Sequence, residues 1–446
     1  MYMTKLLAEC IADRVFDAVP VEVRNKALCC LFDAATCALA GKYATGSTNV
    51  RWVATRIFGP GNAALWFSDH RLSTIGAAFA NSASVCALDF DDGHRAARGH
   101  PGAAVIPAVL AASSDGAIDP EEFVAAIVAG YEIAIRIAAA QNPENIKSRQ
   151  SGLWAGYGAV AAAGSIHRTG RDHLAHALAI SGVWAPNQAA NGSSGYSKLT
   201  GNHAKEGIPW SVVTGLTALE LAEKGFTGPE DILDHASYFN RDRIENGLGL
   251  TWEILGTYFK PYSCCRYIHP AIDATLDLMQ SRRLEPKDVL SVEVHTFQWA
   301  QRLQNKVMPK TLVEAQYSLP FCLAAAVRHG ACALAPIDEQ LLDDREVCSL
   351  AAAVTLTADD QIDQKFPAET LARVTLTIPS GDISSTTAAP RGDVGRPMLW
   401  DELEKKFRQV CRGKMSAARE VVFDRAINQL KSGDPVPFLQ EISDDL

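Results

Sequence analysis

The chain has 446 residues, too many for one small core, and this length predicts two domains or three. Hydrophobic residues make up 48% and charged residues 21%, which excludes a largely disordered or fibrous protein. Acidic residues (51) outnumber basic ones (42) for a net charge of -9, the opposite of a nucleic-acid footprint, although a local basic pocket for a small anion remains open.

In Met1 to Ala18, Lys5, Glu9, Asp13 and Arg14 interrupt any apolar run of the kind a signal peptide or membrane span needs, so a cytoplasmic protein is expected. Cys29, Cys30, Cys37, Cys86, Cys322 and Cys332 sit among Ala, Leu and Val and read as small buried hydrophobes in a reducing compartment. From Lys26 to about Lys224, Ala-rich segments with apolar residues at helical spacing alternate with Gly, Pro and Asn clusters. Helices are predicted over Ala27–Ala40, Thr74–Leu88, Ala103–Ser113, Glu121–Ala139 (Asp119 as N-cap, Pro120 first), Leu153–His167, His173–Val183 and Trp210–Lys224. None is expected to reach the apolar length of a membrane span.

After Gly256 the pattern changes. Val289–Thr296 and Ala372–Ile378 alternate at the two-residue period of strands, with helices expected at Ala271–Ser281, Leu319–His329 and Arg345–Thr355. Ser380–Arg396 reads as a loop or domain crossing, and Leu399–Val410 and Ala417–Leu430 return to amphipathic helix. The predicted fold is mainly α: a large all-helical domain (1–258), a smaller α/β domain (259–392), and C-terminal helices (393–446) packing back on the first.

Two constellations stand out. Leu88–Gly102 places three carboxylates, two imidazoles and two guanidiniums between apolar helices, a costly arrangement unless the groups pair or face a cleft. His100 there is a candidate acid, base or anion ligand. A salt-bridged connector is the plainer alternative, and the spacing matches neither a helical H-x-x-x-H pair nor an EF-hand. Phe259–Pro270, at the change of composition, offers Lys260, Arg266 and His269 as cations for a carboxylate, against a capped turn with a buried Cys pair. Lys147–Gly152 and Tyr196–Glu206, holding Lys198, His203 and Lys205, are weaker anion-binding candidates. Glu314–Phe321 reads as packing, with Tyr317 a hydroxyl donor. A Walker loop, a G-x-G-x-x-G and a G-x-S-x-G elbow are all absent, which removes support from nucleotide-dependent and serine-hydrolase chemistry.

The runs LDFDDGH and GHPGAAVIPA (88–94, 99–108), GFTGP (225–229), KPYSCCRYIHPAIDA (260–274) and EAQYSLPF (314–321) together resemble the MmgE/PrpD family. The resemblance implies a homodimer with its active site between the domains and no required metal or cofactor. It also implies chemistry at a carbon next to a carboxylate of a small polycarboxylate, as in 2-methylcitrate dehydratase, cis-aconitate decarboxylase and iminodisuccinate epimerase. Asp89 and His100 match the family's acidic and histidine positions, and Lys260 its lysine. Ser263 stands where proline is usual, Cys265 where the decarboxylase has histidine, and Arg149 where dehydratase and decarboxylase types carry a histidine. Lys205 aligns with a further lysine, with Lys198 as the alternative.

Arginine cannot shuttle protons but grips carboxylates, so Arg149 points to an iminodisuccinate-type epimerase that removes and returns a proton α to a carboxylate. The expected catalytic groups are Asp89, His100, Lys260, His269 and Tyr262. Arg149, Lys205, Arg266, His94 and Cys265 are expected to bind substrate. Lyases of the same family, and a non-catalytic helical polycarboxylate binder, are the alternatives.

Overall fold

The computed structural model describes residues 1–146, 150–186 and 202–445. The first half is a stack of helices: α1 (Met3–Ala12), α2 (Val21–Gly41), α3 (Thr45–Ile57), α4 (Thr74–Cys86), α5 (Gly102–Ala112), α6 (Pro120–Ala140), α7 (Ala155–Ile166), α8 (Arg171–Val183) and α9 (Ile208–Glu223), with a short α10 (Arg241–Glu245). The predicted helices are all present, and α1 and α3 join them. As expected, Asp119 caps α6 by accepting from the Glu121 and Glu122 amides, with Pro120 in the first turn.

One expectation fails in α6, whose 21 residues are long and apolar enough to cross a bilayer. The reason for its composition is burial inside protein. Arg136 and Glu132 lie within it, fully buried and 3.2 Å apart. The Arg136 guanidinium donates to the carbonyls of Asn246 (2.8 Å) and Thr251 (2.7 Å), and the Ile254 amide donates to Glu132 (3.0 Å), pinning the chain that leads to residue 257.

Two short ribbons sit among these helices: β1 (Ala63–Ala64) with β2 (Arg71–Leu72), and β3 (Gly93–His94) with β4 (Thr257–Tyr258), both antiparallel. The second unit holds α11 (His269–Arg282), α12 (Gln298–Gln301), α13 (Leu312–Gln316), α14 (Leu319–His329), α15 (Arg345–Ala351) and α16 (Asp360–Asp363). Its sheet comprises β5 (Ser291–Thr296), β6 (Val354–Ala358), β7 (Ala372–Ile378) and β8 (Gly381–Ser384) in the order β6-β5-β7-β8. β6 runs parallel to β5; the other pairs are antiparallel. The helix expected over Arg345–Thr355 therefore stops at Ala351, and the loop expected over Ser380–Arg396 contains β8.

The apolar residues fall into two clusters, one spanning the first-half helices and one around α11, α14 and the sheet. The closing helices α17 (Trp400–Cys411), α18 (Ala417–Lys431) and α19 (Val436–Ile442) contribute Phe407, Phe423 and Phe438 to the first cluster, where Phe407 and Phe438 pack at a tilt against Phe32 of α2. A buried pair strengthens that return: Lys406 Nζ lies 2.7 Å from Asp33 Oδ1 and 2.7 Å from the Phe90 carbonyl. Of the cysteines read as buried, Cys30, Cys37 and Cys322 are, Cys29 and Cys86 are half-buried, and Cys332, in a turn after α14, is exposed.

Candidate active site

The Leu88–Gly102 loop leaves α4 through Asp89, which adopts a left-handed conformation (φ 52°), tolerable for Asp because its short side chain can bond locally. The loop is sewn to the second constellation by β3 and β4, where Gly93 faces Tyr258. A Cβ at Gly93 would lie 2.4 Å from the Tyr258 hydroxyl, so only glycine permits this approach. Both constellations thus border one cavity of about 1030 Å³, whose wall includes Asp89, His100, Glu206, Tyr258, Lys260, Cys265, Arg266 and Tyr317.

At its centre is a charge cluster. Lys260 Nζ is 3.1 Å from Asp89 Oδ2 and donates to the Asp89 carbonyl at 3.0 Å. Lys205 Nζ is 3.8 Å from Asp89 Oδ1 and donates to the Cys86 carbonyl (2.9 Å), capping the end of α4, and to Gln316 Oε1 (3.2 Å). His100 Nδ1 donates to the Asp92 carbonyl (2.8 Å) and lies 3.3 Å from Asp91 Oδ2, which leaves Nε2 directed at Asp89 Oδ1, 3.5 Å away.

Burial raises the Asp89 carboxyl, but Lys260, Lys205 and His100 outweigh it and hold it well below the usual carboxylate range. Burial likewise pulls His100 down, yet Asp91 and Asp89 overcome both burial and the opposing Lys260 charge and raise it to about 9. Lys260 is raised in the same way, chiefly by Asp89 against burial. With His100 raised to about 9, an imidazolium joins Lys260 beside the Asp89 carboxylate at neutral pH.

Asp89, Asp91 and His100 also bring three ligand atoms within 4.8 Å of one another, the spacing of a small metal cage. The chemistry of the donors argues against that use, because Lys260 already stands as the counter-cation of Asp89 at 3.1 Å.

The remaining expected residues divide. Arg266 lines the cavity, 5% exposed, with its guanidinium over the Tyr258 ring. Cys265 lines it too, its thiol pushed to about 12 by burial and then by Asp89, so it is protonated. His94 borders the cavity but turns both nitrogens to protein: Nδ1 accepts from the Ala97 amide (3.4 Å) and Nε2 faces Glu253 (4.0 Å). Burial lowers it to about 4, so it is a neutral structural imidazole and no anion ligand.

Tyr262 and His269 do not reach the cavity. The Tyr262 hydroxyl donates to Asp273 (2.7 Å), and His269 packs behind it with Nδ1 3.2 Å from Arg266 Nη1 and Nε2 donating to the Cys264 carbonyl (3.1 Å). Both rings are buried, Tyr262 in the second apolar cluster ahead of α11 and His269 in its first turn. Arg149 and Lys198 lie outside the described residues.

Sequence reasoning gave no role to Asp91, Tyr258, Gln316 or Ser151. Ser151 Oγ accepts from the His100 amide (3.1 Å) and donates to Glu206 (2.7 Å), tying Ser151 and Glu206 to the Leu88–Gly102 loop. Asp91 was visible as one of the loop's carboxylates, but its contact with His100 required the fold.

Residues 5–242 match the model of the MmgE/PrpD N-terminal domain and residues 262–431 that of the MmgE/PrpD C-terminal domain. A cis-aconitate decarboxylase of Aspergillus terreus (strain NIH 2624 / FGSC A1156) is 24% identical over 95% of this chain and 92% of its own. A second Aspergillus terreus cis-aconitate decarboxylase is 25% identical over 89% of this chain and 86% of its own. A cis-aconitate decarboxylase-like protein of Aspergillus oryzae (strain ATCC 42149 / RIB 40) is 22% identical over 96% and 94%. With both domain models matched in order along most of its length, the chain belongs to the MmgE/PrpD family.

Proposed function

We propose that the protein is a lyase that decarboxylates a small unsaturated tricarboxylate through a carbanion next to a carboxylate. The observation that carries this reading is the geometry of His100 on the cavity wall, with Nε2 turned to the Asp89 carboxylate that Lys260 and Lys205 also face and its pKa raised by Asp91 and Asp89. As carbon dioxide leaves the methylene next to the C=C bond, the bonding pair forms the new C=C bond, the old π pair shifts to the far alkene carbon, and the negative charge is delocalised into the carboxylate on that carbon. Cations aimed at that charge lower the barrier, and an acid then supplies the proton that forms the new C–H bond. No base is required: His100 gives its proton and recovers one from solvent. The names of the relatives support the same substrate class.

The epimerase expected from the sequence shares the carbanion but must first take a proton, and a dehydratase must do the same. At neutral pH the cavity's His100, Lys260 and Cys265 all hold their protons, so none of them stands ready as the base these reactions need, and His100, raised to about 9, is the group of the three nearest to giving one up. Arg149, which set the epimerase apart, lies outside the described residues.

The test is proton NMR of EDTA-treated protein in D₂O with cis-aconitate, a 2-methylcitrate and stereochemically defined iminodisuccinate in separate tubes. Loss of one carbon from cis-aconitate is expected, with deuterium on the former alkene carbon α to its carboxylate. Deuterium exchange with inversion and no loss of carbon replaces the lyase with the epimerase. Turnover lost on chelation refutes the metal-independent scheme, and ligand-induced stabilisation without turnover leaves a binding protein.

A further inference from the structure

Beside the Asp89 cluster lies a second group of charges that this scheme does not use. Asp393, in the crossing that follows β8, pairs with Arg95 of the catalytic loop and stands 3.4 Å from Nη2 of Arg266. Arg95 also contacts Thr370 Oγ1 at 3.4 Å. Both arginines line the cavity with Tyr258, whose phenol is pushed to about 12 by burial against the charges of Lys260, Arg266 and Arg95. The placement of Asp393 is rigid: Gly392 has φ 88°, and a Cβ there would lie 1.9 Å from the Phe259 carbonyl, one residue before Lys260.

Two features point to a ligand. The group holds two guanidiniums to one carboxylate, so one positive charge is unbalanced. Arg266 is 5% exposed, yet its Nε and Nη2 are buried without a hydrogen-bond acceptor among the described residues. Its Nη2 contact with Asp393 is outside hydrogen-bond geometry, and Nη1 is occupied by His269. A buried guanidinium with two idle donors on a cavity wall is an expensive arrangement unless an anion completes it.

Resting on the proposed lyase reading, we infer that Arg266 and Arg95, held by Asp393, form a second carboxylate subsite. It recognises a carboxylate of the substrate remote from the reacting carbon and so selects tricarboxylates over dicarboxylates. Asp393 is the positioning residue, and its single negative charge leaves the pair net cationic. A carboxylate fits because the planar fork of an arginine offers parallel N–H donors to two oxygens.

The experiment is calorimetric titration of the full chain at low salt with two unreactive acids, propane-1,2,3-tricarboxylate and glutarate. Wild type should bind the tricarboxylate roughly ten- to a hundredfold more tightly, the range expected of one charge-assisted contact. In Arg266→Gln that preference should collapse while glutarate affinity holds, and Arg95→Gln, at a more exposed position, should reduce it in the same direction if the first variant does not fold. Equal affinity of wild type for both acids, or an undiminished preference in a folded variant, overturns the subsite and leaves the lyase reading standing. If neither acid binds wild type, both readings fall.

Discussion

Replacing Asp91 by Asn tests the origin of the acid form of His100. Asp91 is 1% exposed, neither of its oxygens accepts a well-formed hydrogen bond, and its contact is His100 Nδ1 at 3.3 Å. An opposite charge at that distance typically moves a pKa by about 1 to 3. With His100 raised from 6.5 to about 9 chiefly by Asp91 against burial, the amide should let it fall to about 6 to 8. The sign is fixed by linkage. A histidine raised on folding adds stability that is complete below its unfolded pKa and is lost as pH rises through the folded value, so wild type should lose stability between about 6.5 and about 9. That gap is worth roughly 3 kcal/mol, and Asp91→Asn should remove about half or more of it at pH 6. The assay is a pH–rate profile of kcat with parallel denaturant melts. In wild type the activity should fall on the alkaline side near 9 as the acid is lost, and in Asp91→Asn that limb should move down by 1 to 3 while the acidic limb stays. An unmoved alkaline limb with intact folding would show that Asp91 does not hold the His100 proton.

Lys406→Met should cost about 3 to 5 kcal/mol, because it strands Asp33 and the Phe90 carbonyl in the core. Denaturant melts should show most of that loss recovered when Asp33→Leu is added. Lys260→Met should lower kcat by about 10²- to 10³-fold, and spectroscopic titration should show the Asp89 carboxyl rising toward or above the usual range; unchanged kcat would remove Lys260 from the chemistry. Gly392→Ala should destabilise by at least about 1 to 3 kcal/mol, since its φ of 88° and its 1.9 Å approach to Phe259 both oppose a Cβ. Thermal melts check that loss, and a KM rise larger than any change in kcat would show displaced Asp393.

The helical half was legible because its signals are local. Asp119-Pro120 caps α6 as its side-chain chemistry requires, and the Ala-rich periodicity marks α4, α5 and α7 to within two residues. β6 was not legible: Val354–Ala358 is short and mostly half-exposed or exposed, and its order comes from pairing with β5 some sixty residues earlier. In the site, Asp89, His100, Lys260 and Lys205 were reachable from motif order and converge in the structure. Tyr262 and His269 carry equally suggestive chemistry a few residues away, but Asp273 of α11 holds the Tyr262 hydroxyl and the Cys264 carbonyl holds the His269 ring, partners that only the folded chain supplies. Arg95 and Asp393 are separated by 298 residues, and nothing in either local sequence foretells that they meet.

The buried carboxylates around the catalytic loop follow one rule, and that rule bears on turnover. Asp33 has Lys406, Asp89 has Lys260, and Asp91 has His100, each a contact inside the protein. Asp92 has no cation in hand among the described residues; it accepts from Tyr131 (2.6 Å) and the Gly102 amide (3.0 Å), and burial, which these donors oppose, pushes it to about 7. The odd carboxyl thus compensates with a proton of its own, as a low-dielectric surrounding demands. In the proposed scheme, giving up the His100 proton would leave Asp91 beside a neutral ring, with the charge of Lys260 still acting on it. A buried carboxylate beside a neutral ring is a costly state, so under that scheme the charge pairing that makes the loop expensive to bury would also favour return of a solvent proton to His100.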